Sequence, residues 1–521
     1  MKKSSLLMLL VLPLLLVGCG KKSDKQPKGP FKVPVVDLDQ LQVTLPQMET
    51  WDTTSAVKND GEYDIIDIYQ VSDMHAMIDF KTGTDGYWGF SGMANFLKQK
   101  RQDNKGTIVV SSGDMWQGGA ESNLTRGKVV AECMRYVGFE AMALGNHEFD
   151  WGEDVLEHNS TYFTDDMPLL CGNLVNKTTG EMPTFVKASH VIERGGYKIG
   201  VVGTIGTGIE YSIAKQAFAN FSITDSSTFA SAEAARLKSE ENCDIVVWCT
   251  HEDAKDTNAP ANIDVLFGGH SHNNYSDEQE GPSVGHKVPR LQTKNYGDSI
   301  AHAQFKFNPS TKTVASVTGE YLRAQDNQSY LVDETNVKDL IDQYKAATSV
   351  VKAYQLNKVS GDFEATKELA NLSCKAMYEA FKDESTFCAL QNGVGGVRND
   401  IKSGNVTYGD VYTSFPFDNE MVYFEIKGSE VRDFFDQGSI RGLNKFVSIT
   451  KYAEFDSSKT YKIITTDFVC TNKLSMKETD FTRFPSTVIR DTVAEYIYNN
   501  NNLKADDFGN DKPNYQAPAK F

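Results

Sequence analysis

Basic charge is scarce in this 521-residue chain: 53 lysines and arginines face 70 aspartates and glutamates, a formal charge of −17. Wrapping a nucleic-acid polymer needs a basic stripe that displaces counterions, so a scaffold for polyanions is excluded. Small phosphates are not excluded, because a bound metal ion reverses the local field. Cysteine is also sparse, eight in all, with no Cys-x-x-Cys pair. Apart from Cys19 the cysteines are Cys133, Cys171, Cys243, Cys249, Cys374, Cys388 and Cys470, scattered and odd in number. They form no disulfide framework, and we read most of them as small core residues. No segment beyond the N-terminus is apolar over the about 20 residues that a membrane span requires. Histidine and tryptophan are absent after His302: all nine histidines lie between His75 and His302, and all five tryptophans between Trp51 and Trp248. Two parts follow, with histidine chemistry confined to the first. What remains is ordinary for a folded protein, 40% hydrophobic and 24% charged, at a length that suits about two to four domains.

The N-terminus reads as a targeting signal. Lys2 and Lys3 precede an apolar run, Leu6 to Val17, that ends Leu16-Val17-Gly18-Cys19. The run is too short to span a membrane and fits a secretory signal. Its ending resembles a bacterial lipobox, with cleavage before Cys19 and lipid on that cysteine. The expectation is a signal over residues 1–19, a polar stalk and lead-in over 20–60, and an exported body. The lipid on Cys19 would anchor that body to a bacterial membrane on the periplasmic or cell-surface side.

Five segments of the first part share one grammar: a short apolar, strand-like run that stops at a metal-capable side chain. YDIIDIYQVSDMH ends at Asp73 and His75, and GTIVVSSGD at Asp114. FEAMALGNHEFD reaches Asn146, His147 and Asp150; CDIVVWCTHED ends at His251, and IDVLFGGHSH at His270 and His272. A sixth run, YKIGVVGTIGTG, has the form without the ligand. Near-continuous apolar strands predict sheets buried on both faces, and ligand sites in α/β folds gather just beyond strand ends. Imidazoles, carboxylates and one amide, with no thiolate, suit divalent Zn, Mn, Fe or Co better than a cysteine-rich structural zinc site. There are more candidates than one ion takes. Two ions sharing a carboxylate would sit about 3.5–4 Å apart, the spacing that clamps a phosphoryl group.

Taken together, D-x-H, G-D, G-N-H-E, H and G-H-x-H in this order resemble the metallophosphoesterase superfamily. The resemblance implies one metal held by Asp73, His75, Asp114 and His272, and another by Asp114, Asn146, His251 and His270, with Asp114 bridging. The longer GNHEFDWG is similar to the 5′-nucleotidase branch, which implies a catalytic pair of His147 and Asp150. In the second part, NGVGGVRNDIKSGNVTYGDVYTSFPFDN, residues 392–419, is similar to the 5′-nucleotidase substrate domain. That match implies Asn392 and Arg398 as contacts to substrate and phosphate, and Phe417 as a stacking partner for a nucleobase. The arginine loop carries one residue more than the family pattern. The glycine element that usually precedes a second stacking aromatic is missing, which leaves Phe481 or Phe484 as substitutes.

The implied fold is α/β: an N-terminal metallophosphoesterase β-sandwich flanked by helices (αββα) over 61–330, a linker helix over 331–358, and a C-terminal α/β 5′-nucleotidase substrate-binding domain over 359–521. Leu340, Ile341, Tyr344, Val350 and Val351 fall roughly at helical spacing in the linker, a plausible hinge. The implied chemistry is two-metal hydrolysis of 5′-nucleotides to nucleoside and phosphate, with no obligate protein partner evident. Cyclic nucleotides, nucleotide sugars, the related sulfur-oxidation hydrolases and a catalytically silent nucleotide-binding lipoprotein stand as alternatives.

Overall fold

The structure is a computed structural model that describes residues 31–33, 36, 41–46, 51–436, 438 and 440–520. The signal, Cys19 and most of the stalk lie outside the described residues. Among the described residues no helix is long and apolar enough to cross a membrane, and all seven cysteines are buried and free.

The apolar runs become the middles of two six-stranded sheets. One runs, in spatial order, Val314–Arg323, Ser299–Phe307, Asp64–Val71, Thr107–Ser111, Ala141–Ala143 and Leu169–Leu170. The other runs Tyr275–Glu280, Lys287–Gln292, Val265–Phe267, Ile245–His251, Tyr197–Ile205 and Ser189–Arg194. Strand alternation explains why these runs are apolar at nearly every position. Ile66, Ile68, Ile108, Val110, Val201, Ile245 and Val247 point between the sheets and form the sandwich core. Their neighbours Tyr69, Val71 and Val109 point outward beneath helices Gly89–Asp103, Lys128–Val137 and Thr335–Lys352. On the other outer face Val202, Val246 and Trp248 pack with Ala230, Ala234 and Leu237 of helix Ser226–Ser239. The layers are therefore helix, sheet, sheet, helix.

Parallel pairing fixes where the loops emerge. Asp64–Val71, Thr107–Ser111 and Ala141–Ala143 are mutually parallel, as are Tyr197–Ile205, Ile245–His251 and Val265–Phe267. Every candidate metal ligand follows the C-terminal end of one of these strands or closes it, so all of them collect at one edge of the sandwich.

The connecting helix is shorter than its sequence suggests, running Thr335–Lys352 rather than 331–358. Glu334 caps it by accepting from the Val337 N–H at 3.1 Å. Val337, Leu340, Ile341 and Tyr344 are buried in the outer core of the catalytic half, and Tyr344 donates to Glu132 at 2.7 Å. The helix therefore belongs to that half by packing. Gln355–Ser360 is a strand instead, pairing with Gly404–Thr407 and Leu503–Lys504. Leu356 and Val359 are buried there. The C-terminal half is built on a five-stranded sheet, ordered Asn444–Val447, Thr386–Gln391, Thr460–Thr466, Glu420–Lys427 and Thr482–Val488. Helices Ala370–Phe381 and Ile489–Asn499 accompany it.

Candidate active site

The ligand loops are wound unusually tightly. Asp73, His75, Asp114, His270 and His272 all have left-handed backbones, with φ of 55°, 45°, 55°, 73° and 59°. Each such non-glycine residue costs about 1–3 kcal/mol and persists where the surroundings over-determine it, as at functional sites. Crowding explains the adjacent glycine of the GNHE motif: a Cβ on Gly145 would lie 2.3 Å from Asp114 Oδ1.

Two donor groups result. Asp73, His75, Asp114 and His272 form one, Asp114, His251 and His270 the other, and within each the ligand atoms lie within 4.8 Å of one another. His75 Nε2 is 3.0 Å from His272 Nε2, and His251 Nε2 is 3.1 Å from Asp114 Oδ2. Asn146 Oδ1 joins the second group, 3.1 Å from His251 Nε2 and 2.9 Å from His270 Nδ1. Asp114 is shared, as a bridging carboxylate would be. Backbone carbonyls set the tautomers: His75 Nδ1 donates to Gln117 O at 3.1 Å and His251 Nδ1 to Ser112 O at 2.7 Å. With Nδ1 so engaged, Nε2 is the nitrogen each ring turns toward the cluster, the orientation a metal ligand needs.

Electrostatics agree with a pair of cations. Burial, reinforced by neighbouring positive groups, lowers His270 to about 4 and His272 to about 3, so both are neutral ligands at physiological pH. Burial raises Asp73 to about 6. It also acts to lower His251, but the Asp114 carboxylate outweighs it and lifts that imidazole to about 10. The buried carboxylates thus demand positive charge at this spot, and divalent ions held by nitrogen and oxygen donors supply it. The residues fit a dinuclear centre.

Around the cluster stand the expected reactive groups. His147 Nδ1 lies 2.8 Å from Asp150 Oδ2. From the C-terminal half Arg398 Nη2 donates to His147 Nε2 at 3.0 Å, and the Phe417 ring stacks on His147 at 5.5 Å between centroids. Asn392, only 5% exposed, lines the same cavity with its Oδ1 unpaired among the described residues. In the arginine loop Gly395 is left-handed at φ 82°, and Val394, 73% exposed, lines the cavity with it. The cavity measures about 560 Å³ and is bounded by both halves.

Neither substitute aromatic reaches it. Phe481 is buried in the core of the C-terminal half, and Phe484 stacks on Phe381 at 4.1 Å. Packing against their own sheet uses both rings. Phe468, at the end of the run YKIITTDF, lines the cavity instead. Two further contributors were not apparent from the motifs. Glu148 accepts the backbone N–H groups of Asp114, Met115, Trp116 and Gly145 at 2.7–3.2 Å, tying two ligand loops together. The Phe417 loop is held from the catalytic half, where Asn123 donates to Pro416 O at 3.1 Å and Arg126 pairs with Asp418 at 2.8 Å. The glutamate directly after Asn146-His147 was a readable signal for the first; nothing local marked the second.

Comparison with known proteins agrees with this geometry. Residues 66–274 match the model of the calcineurin-like phosphoesterases, and residues 345–445 that of the 5′-nucleotidase C-terminal domain. Endonuclease YhcR of Bacillus subtilis is 27% identical over 406 residues, 70% of this chain but only 32% of that protein. The 5′-nucleotidase of Vibrio cholerae is 25% identical over 402 residues, 67% of this chain and 71% of that protein. In fold, the crystal structure of the 5′-nucleotidase precursor of Thermus thermophilus superposes with a TM-score of 0.71 at 20% identity, covering 83% of this chain and 96% of that one. With both halves matched and the metal-ligand cluster assembled from loops of the first, the chain belongs to the calcineurin-like phosphoesterases that carry a 5′-nucleotidase C-terminal domain, a family of metal-dependent phosphoester hydrolases.

Proposed function

We propose that the protein is a 5′-nucleotidase that releases nucleoside and phosphate outside the cytoplasm. One observation carries this reading: Arg398 and Phe417, both from the C-terminal half, meet at His147 beside the metal-ligand cluster. A phosphate group and an aromatic base would find their partners there in one cavity.

Asp73, His75, Asp114 and His272 would hold one divalent ion, and Asp114, Asn146, His251 and His270 the other. Such a pair supplies a water of lowered pKa and stabilises charge on the phosphoryl oxygens. The chain's own groups do the rest. Arg398 presents a guanidinium that forks onto phosphate oxygens. Arg398 donates to His147 Nε2, so that imidazole carries its proton on Nδ1, toward Asp150. A phosphoryl oxygen entering between them gives His147 Nε2 a partner to which it can donate. Burial acts against a charged His147, but Asp150 and Asp114 together raise its pKa, favouring the imidazolium that stabilises transferring phosphate. Phe417 offers a face to any base, with Phe468 on another wall.

Export and lipidation at Cys19 belong to the same proposal, supported by Lys2, Lys3 and the apolar run before Leu16-Val17-Gly18-Cys19. The test uses the chain from Gly20 onward, stripped by chelator and reloaded with Mn or Zn. Metal-dependent release of phosphate and adenosine from AMP is the expected result. Turnover confined to 2′,3′-cyclic nucleotides would reject it, and so would binding of AMP without turnover when two metals are present.

A further inference from the structure

Among the described residues, Arg398 and Lys473 are the only lysine or arginine side chains that line the large cavity. Arg398 is engaged with His147. Lys473 ends the short helical turn Val469–Lys473, and its Nζ lies 5.6 Å from the centroid of the Phe468 ring. The carboxylates of that wall are matched elsewhere: Asp467 and Glu420 pair with Arg483, and Asp418 with Arg126 and Arg490 at 2.8 and 2.6 Å. No ion pair holds Lys473 among the described residues. The cavity therefore carries one positive charge that neither the protein's own carboxylates nor the phosphoryl position uses.

A neighbour fixes where that charge stands. Asn472 donates from its amide to the carbonyls of Tyr211 and Ile213, both at 3.0 Å, two bonds from the C-terminal half to the catalytic one. Ser212, between those carbonyls, and Lys473, next to the donor, both line the cavity. The backbone that carries Lys473 is thus tied at the cavity wall, while its exposed side chain stays free to follow a ligand. An ammonium beside an exposed aromatic ring gains only a weak cation–π attraction. A nucleobase that stacks on Phe468 takes that ring's face and leaves the ammonium at the base's edge. An ammonium has three donors and no acceptor, so the edge it meets must carry oxygens or bare ring nitrogens.

Resting on the nucleotidase reading above, we propose that Lys473 is a specificity-determining residue that selects nucleotides whose base carries an oxygen at its edge, hypoxanthine, guanine and uracil, over adenine and cytosine. Hypoxanthine and guanine present O6 and N7 as adjacent acceptors, the pair that lysine and arginine read in guanine. Adenine sets an amino donor beside N7 instead. Uracil O4 accepts where the cytosine amino group donates. Stacking on Phe417 and Phe468 is indifferent to these groups, because every base has a π-face. The rings thus hold any base, and Lys473 ranks them. AMP remains a substrate in this scheme, turned over less efficiently than IMP.

IMP with AMP, and UMP with CMP, make two matched pairs, differing at one exocyclic group and the adjoining ring nitrogen. With the Mn-loaded chain from Gly20 onward, kcat/KM should favour IMP and UMP by about fivefold or more, the lower end of what one such base contact discriminates. Lys473→Met keeps the length and the contact with Phe468 but loses the donors, and should bring both ratios within about twofold of one. Lys473→Glu presents an acceptor to the amino groups and should reverse both ratios. Metal content is measured on the same samples. Wild-type ratios near one, ratios that survive Lys473→Met, or equal losses on all four nucleotides would each overturn the proposal. Calorimetric binding of inosine and adenosine separates it from the reading on which it rests. An inosine preference that Lys473→Met abolishes, with no nucleotide turned over, would reject the nucleotidase reading alone; turnover of all four nucleotides at equal kcat/KM would reject this one alone.

Discussion

Replacing Asp150 by asparagine removes a negative charge 2.8 Å from His147 Nδ1 while keeping the side chain's shape. The two side chains are 13% and 10% exposed, so solvent screens the pair little. A hydrogen bond to a charged group contributes about 1.5–3 kcal/mol. At about 1.4 kcal/mol per decade, kcat/KM for AMP should fall about 10- to 150-fold. The pH profile carries a second signature. Burial alone would depress His147; Asp150 and Asp114 more than offset it. Without the Asp150 charge the imidazolium is lost at lower pH, so the alkaline limb of kcat/KM should move toward acid. Steady-state kinetics from pH 5 to 10, with metal content measured on the same samples, provide the assay. A rate within twofold of wild type, an alkaline limb that stays in place, or loss of metal along with the rate would refute the reasoning.

Glu148→Gln sets an amide N–H₂ against backbone donors that now meet a carboxylate; losing charged hydrogen bonds worth about 1.5–3 kcal/mol should lower Tm by about 1–3 °C in calorimetry, and an unchanged Tm would show that the four bonds are not structural. Phe417→Ala removes stacking worth about 1–3 kcal/mol per base, so KM for AMP should rise about 5- to 150-fold, with a much smaller change for glycerol 3-phosphate; equal changes would take the ring out of base recognition. His286 pairs with Asp264 at 3.0 Å, which outweighs burial and raises its pKa. Its stabilisation is fully present below the unfolded value of about 6.5 and fades as pH rises through the higher folded value. The Tm deficit of His286→Gln should therefore be larger at pH 5.5 than at pH 9, and equal deficits would reject the pair as the cause.

Much of the catalytic half was legible because its signals are local. Asp73, Asp114, Asn146, His251 and His270 each follow or close an apolar run, and parallel strands bring such ends to one edge whatever the details of packing. The linker helix was legible in type but not in length. Its apolar spacing continues past Lys352, while Leu356 and Val359 answer to a sheet formed with residues about a hundred or more positions distant in places, such as Leu503. The second aromatic was misplaced for a related reason. Phe481, Phe484 and Phe468 look alike in sequence, and only the packing of the five-stranded sheet decides which ring faces its own core and which faces the cleft.

By itself, then, the sequence determined the donor types, their order, the buried two-faced strands and the histidine–aspartate pair, all set by neighbours a few residues apart. The tertiary structure alone decided that Arg398 and Phe417 arrive at His147, that Asn123 and Arg126 hold the Phe417 loop, and that Lys473 faces the same cavity as Arg398. Those facts depend on contacts between residues far apart in the chain, and an amino-acid pattern records a residue's own burial periodicity but not the identity of what packs against it.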